Sequence, residues 1–275
     1  VSQPRKMKLV VEKNEQIPMR DGTLLYADIF RPNFKDKVPV LFNTSVYQKD
    51  KVWSPPADLE EKANPYMTWE TVNPTWWVPR GYICVRVDTR GSGKSPGLSD
   101  PGGPQETLDY YDAIEWTAKQ KWCSGNIGTA GISYHAVTQW RVAGLQPPSL
   151  KAMIPWEGYG DAYRDSVFHG GIFQLYYLAT WYATQMAHHL LGDPQEYNPD
   201  AFRNERLYNY MRHSLDTGYW DNRGAQWDKI KVPFLSAGNW SGHNLHLRGN
   251  VEGFVRAKSK HKKLRIHTGT HYHAF

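Results

Sequence analysis

The sequence predicts an α/β fold, with a mostly parallel central sheet and helices on both of its faces. Three observations carry that expectation. Short apolar runs alternate with segments of helical spacing, the rhythm of a parallel sheet with helical crossovers. Turn residues punctuate the apolar runs, as at Asp21-Gly22. Residues 126–140, NIGTAGISYHAVTQW, read as a strand running to Gly131, a sharp turn with Ser133 at its apex, and a helix leaving it over Ala136–Ala143. Such a turn lifts a hydroxyl above the end of a sheet, where a helix N-terminus favours developing negative charge.

The elements follow in order. Leu9–Val11 is a first short strand, and 17–32 holds two strands about the Asp21-Gly22 turn. Val38–Asn43 is a buried-type strand ending in a polar loop that carries Tyr47. Residues 51–79, rich in Trp and Pro, read as irregular with a short helix near 57–63. Tyr82–Val87 is a strand, and Glu106–Lys119 has helical spacing through Leu108, Tyr111, Ala113, Ile114 and Trp116. After the Ser133 turn come a strand at Lys151–Pro155, a helical and aromatic block at 160–225 broken at 192–194 and 198–199, and a strand at Val232–Ala237. A helix at 245–257 and a last strand at Lys263–His267 complete the series. The block at 160–225 interrupts the alternation and would sit over the carboxyl ends of the strands, where α/β sheets bind ligands.

Composition narrows the function classes. The chain has 275 residues, enough for one large domain or two small ones, and 12 Trp with 17 Tyr supply much of the apolar burial. The net charge of +6 is dispersed apart from 258–265, KSKHKKLR, which reads as a solvated helix end; no nucleic-acid partner is expected. Two cysteines, Cys84 and Cys123, make no disulfide framework. No apolar stretch is long enough for a membrane span and no signal peptide is visible. A cytoplasmic location is therefore expected, with secretion left open if the N-terminus is processed. No cofactor is expected. The pairs His188/His189, His243/His246 and His271/His273 lack the spacing of a metal site. Gly91–Ser95 resembles a phosphate loop, but Asp88 stands where that motif needs glycine, so a tight turn held by Asp88 and Arg90 is expected instead.

A serine nucleophile needs a base and a group that orients the base. His271 falls just beyond the last strand and is the expected base, with His273 its competitor. The backbone N–H of Tyr134, next after the serine, and the Tyr47 hydroxyl are the expected oxyanion donors.

In five stretches the chain resembles the cocaine esterase, X-Pro dipeptidyl-peptidase and α-amino-acid ester hydrolase group of α/β-hydrolases: MRDGTLLYADIFRP, VPVLFNTSVYQKD, GYICVRVDTRGSGKSPG, WCSGNIGTAGISYHAVTQW and AMIPWEGYGDAYRD. The resemblance implies an α/β-hydrolase fold, Ser133 as nucleophile, Tyr47 and the Tyr134 amide as oxyanion hole, and His271 as base. It also implies a core at 1–159 and 226–275 with a helical cap inserted at 160–225.

Three departures from the pattern matter. Ala136 stands where the family has glycine. Ser241 in Gly238–His243 stands where relatives carry the triad aspartate, and a serine cannot stabilise an imidazolium as a carboxylate does. Glu157, in Pro155-Trp156-Glu157-Gly158, is the expected replacement, with Asp161 and Glu252 lesser candidates and a salt bridge to Arg164 as its structural alternative. Finally, relatives continue with a covering helix and a C-terminal jelly-roll domain, whereas this chain ends four residues after His271. The expectation is a catalytic part truncated after its last strand.

The function expected is a serine hydrolase cleaving an ester or amide through an acyl-enzyme. Trp156, Asp161, Phe168 and Trp240 are expected to contact a small-molecule substrate, and a homo-oligomer is left open. An acyltransferase, an X-Pro dipeptidyl-peptidase holding its substrate amine on Asp161 or Asp165, and a non-catalytic binding or scaffold descendant are the alternatives.

Overall fold

A computed structural model describes residues 3–33, 35–53, 62–186 and 206–272. The first half of the chain supplies β1 (Leu9–Pro18), β2 (Leu24–Pro32), β3 (Val38–Ser45), α1 (Pro74–Trp77), β4 (Ile83–Asp88), α2 (Pro104–Ala118), β5 (Cys123–Ile132), α3 (Tyr134–Gly144) and β6 (Leu150–Trp156). Next come a short hairpin of β7 (Phe168–His169) and β8 (Ile172–Phe173), then α4 (Leu175–Trp181), α5 (Arg206–Arg212) and α6 (Gly218–Asp221). The chain returns to the sheet with β9 (Phe234–Asn239), α7 (Leu247–Arg256) and β10 (Lys262–His267).

Eight strands form one sheet in the order β1-β2-β4-β3-β5-β6-β9-β10. The β1–β2 and β2–β4 pairs are antiparallel; every other pair is parallel. This is the expected mixed, mostly parallel α/β architecture. The strands β5, β6, β9 and β10 are successive neighbours, so the loops leaving their carboxyl ends converge on one edge of the sheet.

The core is built from the apolar faces that the pattern marked. Ile29, Val40, Phe42, Val85, Ile114 and Ile127 are fully buried in one cluster, and Trp140 of α3 packs edge-on against Trp227 and Phe234 in another. Arg90 fastens the loop after β4 to α2 by two bonds to Asp109, each 2.8 Å, while Asp88 accepts the Lys49 amide at 2.7 Å.

Several elements differ from expectation in extent. β1 runs on to Pro18 past a bulge at Glu12/Glu15, because an edge strand tolerates the charged residues that broke its apolar pattern. α2 starts at Pro104, where proline suits the first helical turn. The aromatic block after β6 is not continuous helix: a single π turn at Ala162–Val167 gives way to the β7–β8 hairpin, whose turn is Gly170-Gly171 with φ of 59° and 84°. Its aromatics pack on one another, Phe168 against Tyr163, Phe173 and Trp220, rather than on one helical face. The expected helix at 57–63 and the breaks at 192–194 and 198–199 fall wholly or partly outside the described residues.

Candidate active site

Ser133 sits between β5 and α3 with φ 55° and ψ −114°, a backbone conformation that a non-glycine residue holds only under constraint. The constraint is visible on both sides. The Ser133 amide donates to Trp156 O at 2.9 Å, and its carbonyl accepts from Ala136 and Val137, both at 2.9 Å, in the first turn of α3. The turn can be this tight because Gly131 has no Cβ; one there would meet the His135 Cβ at 2.5 Å. Ala136 is accommodated by a second glycine, since a Cβ on Gly158 would lie 2.5 Å from the Ala136 Cβ.

Glu157 leaves β6 as the next loop begins. Its φ of 51° is held by its amide, which donates to Ala237 O at 2.7 Å. The side chain is buried, and its Oε2 hydrogen-bonds Nδ1 of His271 at 2.7 Å. The loop after β9, where the aspartate of relatives was expected, holds the histidine loop instead. Asn239 accepts from the Ser241 amide at 2.9 Å and donates to Gly269 O at 3.1 Å. Arg164, the alternative partner of Glu157, is taken by Asp161 and Asp216.

Two residues that the sequence reading did not place in the site stand beside these. Nε2 of His271 hydrogen-bonds Oε1 of Glu70 at 3.0 Å. The Ser133 hydroxyl hydrogen-bonds Nε2 of His246 at 3.1 Å. The rings of His246 and His271 lie nearly parallel with centroids 5.8 Å apart. Glu70 (φ 60°) belongs to the segment running alongside the end of β5; its carbonyl accepts the Ile132 amide at 3.1 Å. No local motif marks Glu70, which lies in the Trp-rich stretch read as irregular. His246 stood out only as half of a histidine pair.

Burial and charge set the protonation states. Burial draws His271 down, but its bonds to Glu157 and Glu70 outweigh this and push it up to about 10. Burial raises Glu70 above the ordinary carboxylate range, against the bonds and charge of His271 and lesser help from Trp69 and Ser133. His246 is held well below its ordinary value by burial and then by the charge of His271. The result is a charged imidazolium at His271, held between Glu157 and Glu70, and a neutral imidazole at His246 on the serine.

Tyr47 is buried, which raises its hydroxyl well above the ordinary tyrosine range and keeps it protonated. The Trp181 indole N–H donates to its oxygen at 3.1 Å, which polarises the phenol as a donor. The Tyr134 amide opens α3, where no carbonyl a turn earlier can accept it. Tyr47, Ser133, Glu70, Glu157, His246 and His271 all line one cavity of about 600 Å³.

The four expected substrate contacts do not line it. Trp156 is buried beneath the site against Ile132, Ala237 and His267, and Phe168 is buried in the aromatic cluster after β6. Asp161 caps the π turn and pairs with Arg164, and Trp240 is 66% exposed. The cavity wall is instead made by His169, Gln174, Tyr177, Trp181 and Asn244, among others. His273 lies outside the described residues. Among the described residues no cluster of three or more His, Cys, Asp or Glu side chains could hold a metal ion, and no helix is long and apolar enough to cross a membrane.

A serine on a strained strand-to-helix turn, above the carboxyl ends of a mostly parallel sheet, defines an α/β-hydrolase. More particularly, the chain belongs to the X-Pro dipeptidyl-peptidase (S15) family of hydrolases, whose model matches residues 21–273. It is 35% identical over 176 residues to the cocaine esterase of Rhodococcus sp. (strain MB1 Bresler), a match covering 63% of this chain and 28% of that protein. A CocE/NonD family hydrolase from Staphylococcus aureus superposes with TM-score 0.88 at 40% identity, over 97% of this chain and 47% of the other. An α-amino-acid ester hydrolase shares the fold at 18% identity and TM-score 0.67, over 93% of this chain and 46% of the other. The chain thus spans about half the length of the solved relative and under a third of the curated one.

Proposed function

We propose that this chain is the catalytic part of a serine hydrolase that cleaves an ester or amide through an acyl-enzyme. The observation that carries the reading is the convergence of Ser133 and the bonded pair Glu157–His271 on one cavity, from the carboxyl ends of β5, β6 and β10. Ser133 Oγ attacks the acyl carbon, and His271 takes its proton and returns it to the leaving group. Glu157 orients His271 and stabilises its charge. The Tyr47 hydroxyl and the Tyr134 amide bind the oxyanion of the tetrahedral intermediate. Water then repeats the sequence on the acyl-enzyme.

This course begins with an exchange of partners. Nδ1 of His271 stays on Glu157 while Nε2 leaves Glu70 for Ser133, and Ser133 leaves His246. Active-site bonds in an unliganded hydrolase commonly tighten into catalytic geometry only with substrate bound. His246 is the weaker base, because its Nδ1 is buried without a hydrogen-bond partner and so lacks the orienting carboxylate.

Residues 160–225 serve as the cap in this reading, since His169, Gln174, Tyr177 and Trp181 wall the cavity. An acyl ester is favoured over a dipeptide with a free amine. Asp161 and Asp165, the carboxylates that would hold such an amine, are engaged by Arg164 and Arg248. A fluorophosphonate probe tests the central step: mass spectrometry of the folded, treated protein should find the adduct on Ser133, and an unlabelled Ser133 would sink the hydrolase reading.

A further inference from the structure

Beside the main cavity lies a smaller recess of about 20 Å³, walled by Ser133, Tyr47, Tyr134, Tyr177, Trp181 and Arg206. Room of this size holds about one water, or the end of a planar group that displaces it. Four of these residues, together with His246, also line the main cavity, so the recess opens directly beside the nucleophile. Arg206 is the first residue of α5 and is 7% exposed. Its Nε donates to the Tyr210 hydroxyl at 2.5 Å, and its guanidinium lies 5.0 Å from the Trp181 ring and 5.1 Å from the Tyr210 ring. Its Nη1 is buried and has no hydrogen-bond partner, and among the described residues no carboxylate pairs with it. The other buried or half-buried arginines differ: Arg141, Arg90 and Arg223 each meet an acid, and Arg86 donates to two carbonyls.

A buried guanidinium costs desolvation that ring faces and one phenol offset only in part. What it lacks among the described residues is an anion, and the recess would place that anion beside Ser133. We infer that Arg206 is a substrate-binding residue, and that the substrate is a carboxylate-bearing ester or amide whose acid group docks on Arg206 in this recess. A guanidinium edge matches a carboxylate in geometry as well as charge. The Trp181 indole joins the two functions, since its N–H bonds Tyr47 while its ring faces the guanidinium.

The inference rests on the hydrolase reading for its chemistry but not for its binding. Two measurements keep them apart. In the first, the hemiglutarate and the valerate p-nitrophenyl esters are compared on the wild-type chain and on Arg206→Met and Arg206→Lys. The wild type should favour the anionic ester in kcat/KM by more than about tenfold. Arg206→Met should collapse that ratio towards one, whatever loss the two esters share, and Arg206→Lys should restore part of it. A wild-type ratio near one, or a ratio unmoved by Arg206→Met, would overturn the assignment. In the second, glutarate and glutaramide are titrated into the wild-type chain by calorimetry, with no turnover required. Glutarate alone should bind. If neither ester is hydrolysed yet glutarate binds selectively, the anion site stands and the hydrolase reading falls. If the two titrants are indistinguishable, the anion site falls.

Discussion

Nδ1 of His271 stands 2.7 Å from Oε2 of Glu157, although the two residues leave different strands and are far apart in sequence. The carboxylate that orients the histidine therefore comes from the loop after β6, not from the loop after β9. At the end of β9, Asn239 braces the histidine loop through Gly269 O, and the Ser241 amide donates to Asn239. Replacing Glu157 by Gln keeps the shape but removes the charge and offers Nδ1 the wrong partner. The kcat on an activated aryl ester should fall by about 10²–10⁴-fold with the fold intact by circular dichroism. An unchanged kcat would remove Glu157 from the triad.

The two stacked histidines can be separated. Only His271 has a carboxylate behind it, whereas His246 touches Ser133 with a buried, unpartnered Nδ1. His271→Ala should cost about 10³-fold or more in kcat, and His246→Ala markedly less, because His246 only holds the resting serine. The reverse ranking, read from single-turnover rates, would make His246 the base.

A pH profile reads the double clamp on His271. The groups facing its ring are Glu157 and Glu70 at its nitrogens, His246 and Tyr272 against its ring, and His267 across Glu157. Held up at about 10, the resting imidazolium cannot accept a proton at neutral pH. The kcat/KM should therefore rise with pH through the alkaline range. Glu70→Gln removes one of the two charges, so the rising limb should move towards acid by about one unit or more. The same clamp bears on stability. A folded value raised above the ordinary 6.5 stabilises fully below that pH and loses its contribution as pH rises towards 10. Urea midpoints of the wild type should fall across that window, and those of Glu70→Gln should fall less. Coincident pH–rate profiles for the two proteins would show that Glu70 does not act on His271.

The helix that carries the His246 end of the site is seated by a glycine. A Cβ on Gly249 would come within 2.4 Å of the Tyr159 Cα and the Gly160 amide nitrogen, and backbone cannot yield as a side-chain tip can. Gly249→Ala should cost about 1–3 kcal/mol in chemical denaturation. It should also weaken the His246–Ser133 contact by moving α7 off the loop after Glu157. Wild-type stability in this variant would mean that α7 is not held at that spacing.

Much of this protein was legible before any coordinates. Local pattern determined the alternating strands and helices, the elbow at Ser133, and the positions of Tyr47, Tyr134, Glu157 and His271 at the ends of their elements. These are properties of short stretches, where side-chain period and turn chemistry act on near neighbours. The aromatic block after β6 misled, because aromatics at helical spacing also suit a hairpin and turns that pack on themselves. What only the tertiary structure decided is which groups from distant stretches meet. Strand order brings the ends of β5, β6 and β10 to one cavity and so pairs Glu157 with His271. Packing of the other segments on that sheet sets Glu70 on the far nitrogen of His271, His246 on Ser133 and Arg206 in the recess beside Ser133. Glu70, His246 and Arg206 have no local signature of these roles, because burial and charge pairing depend on the neighbours in space that the fold supplies.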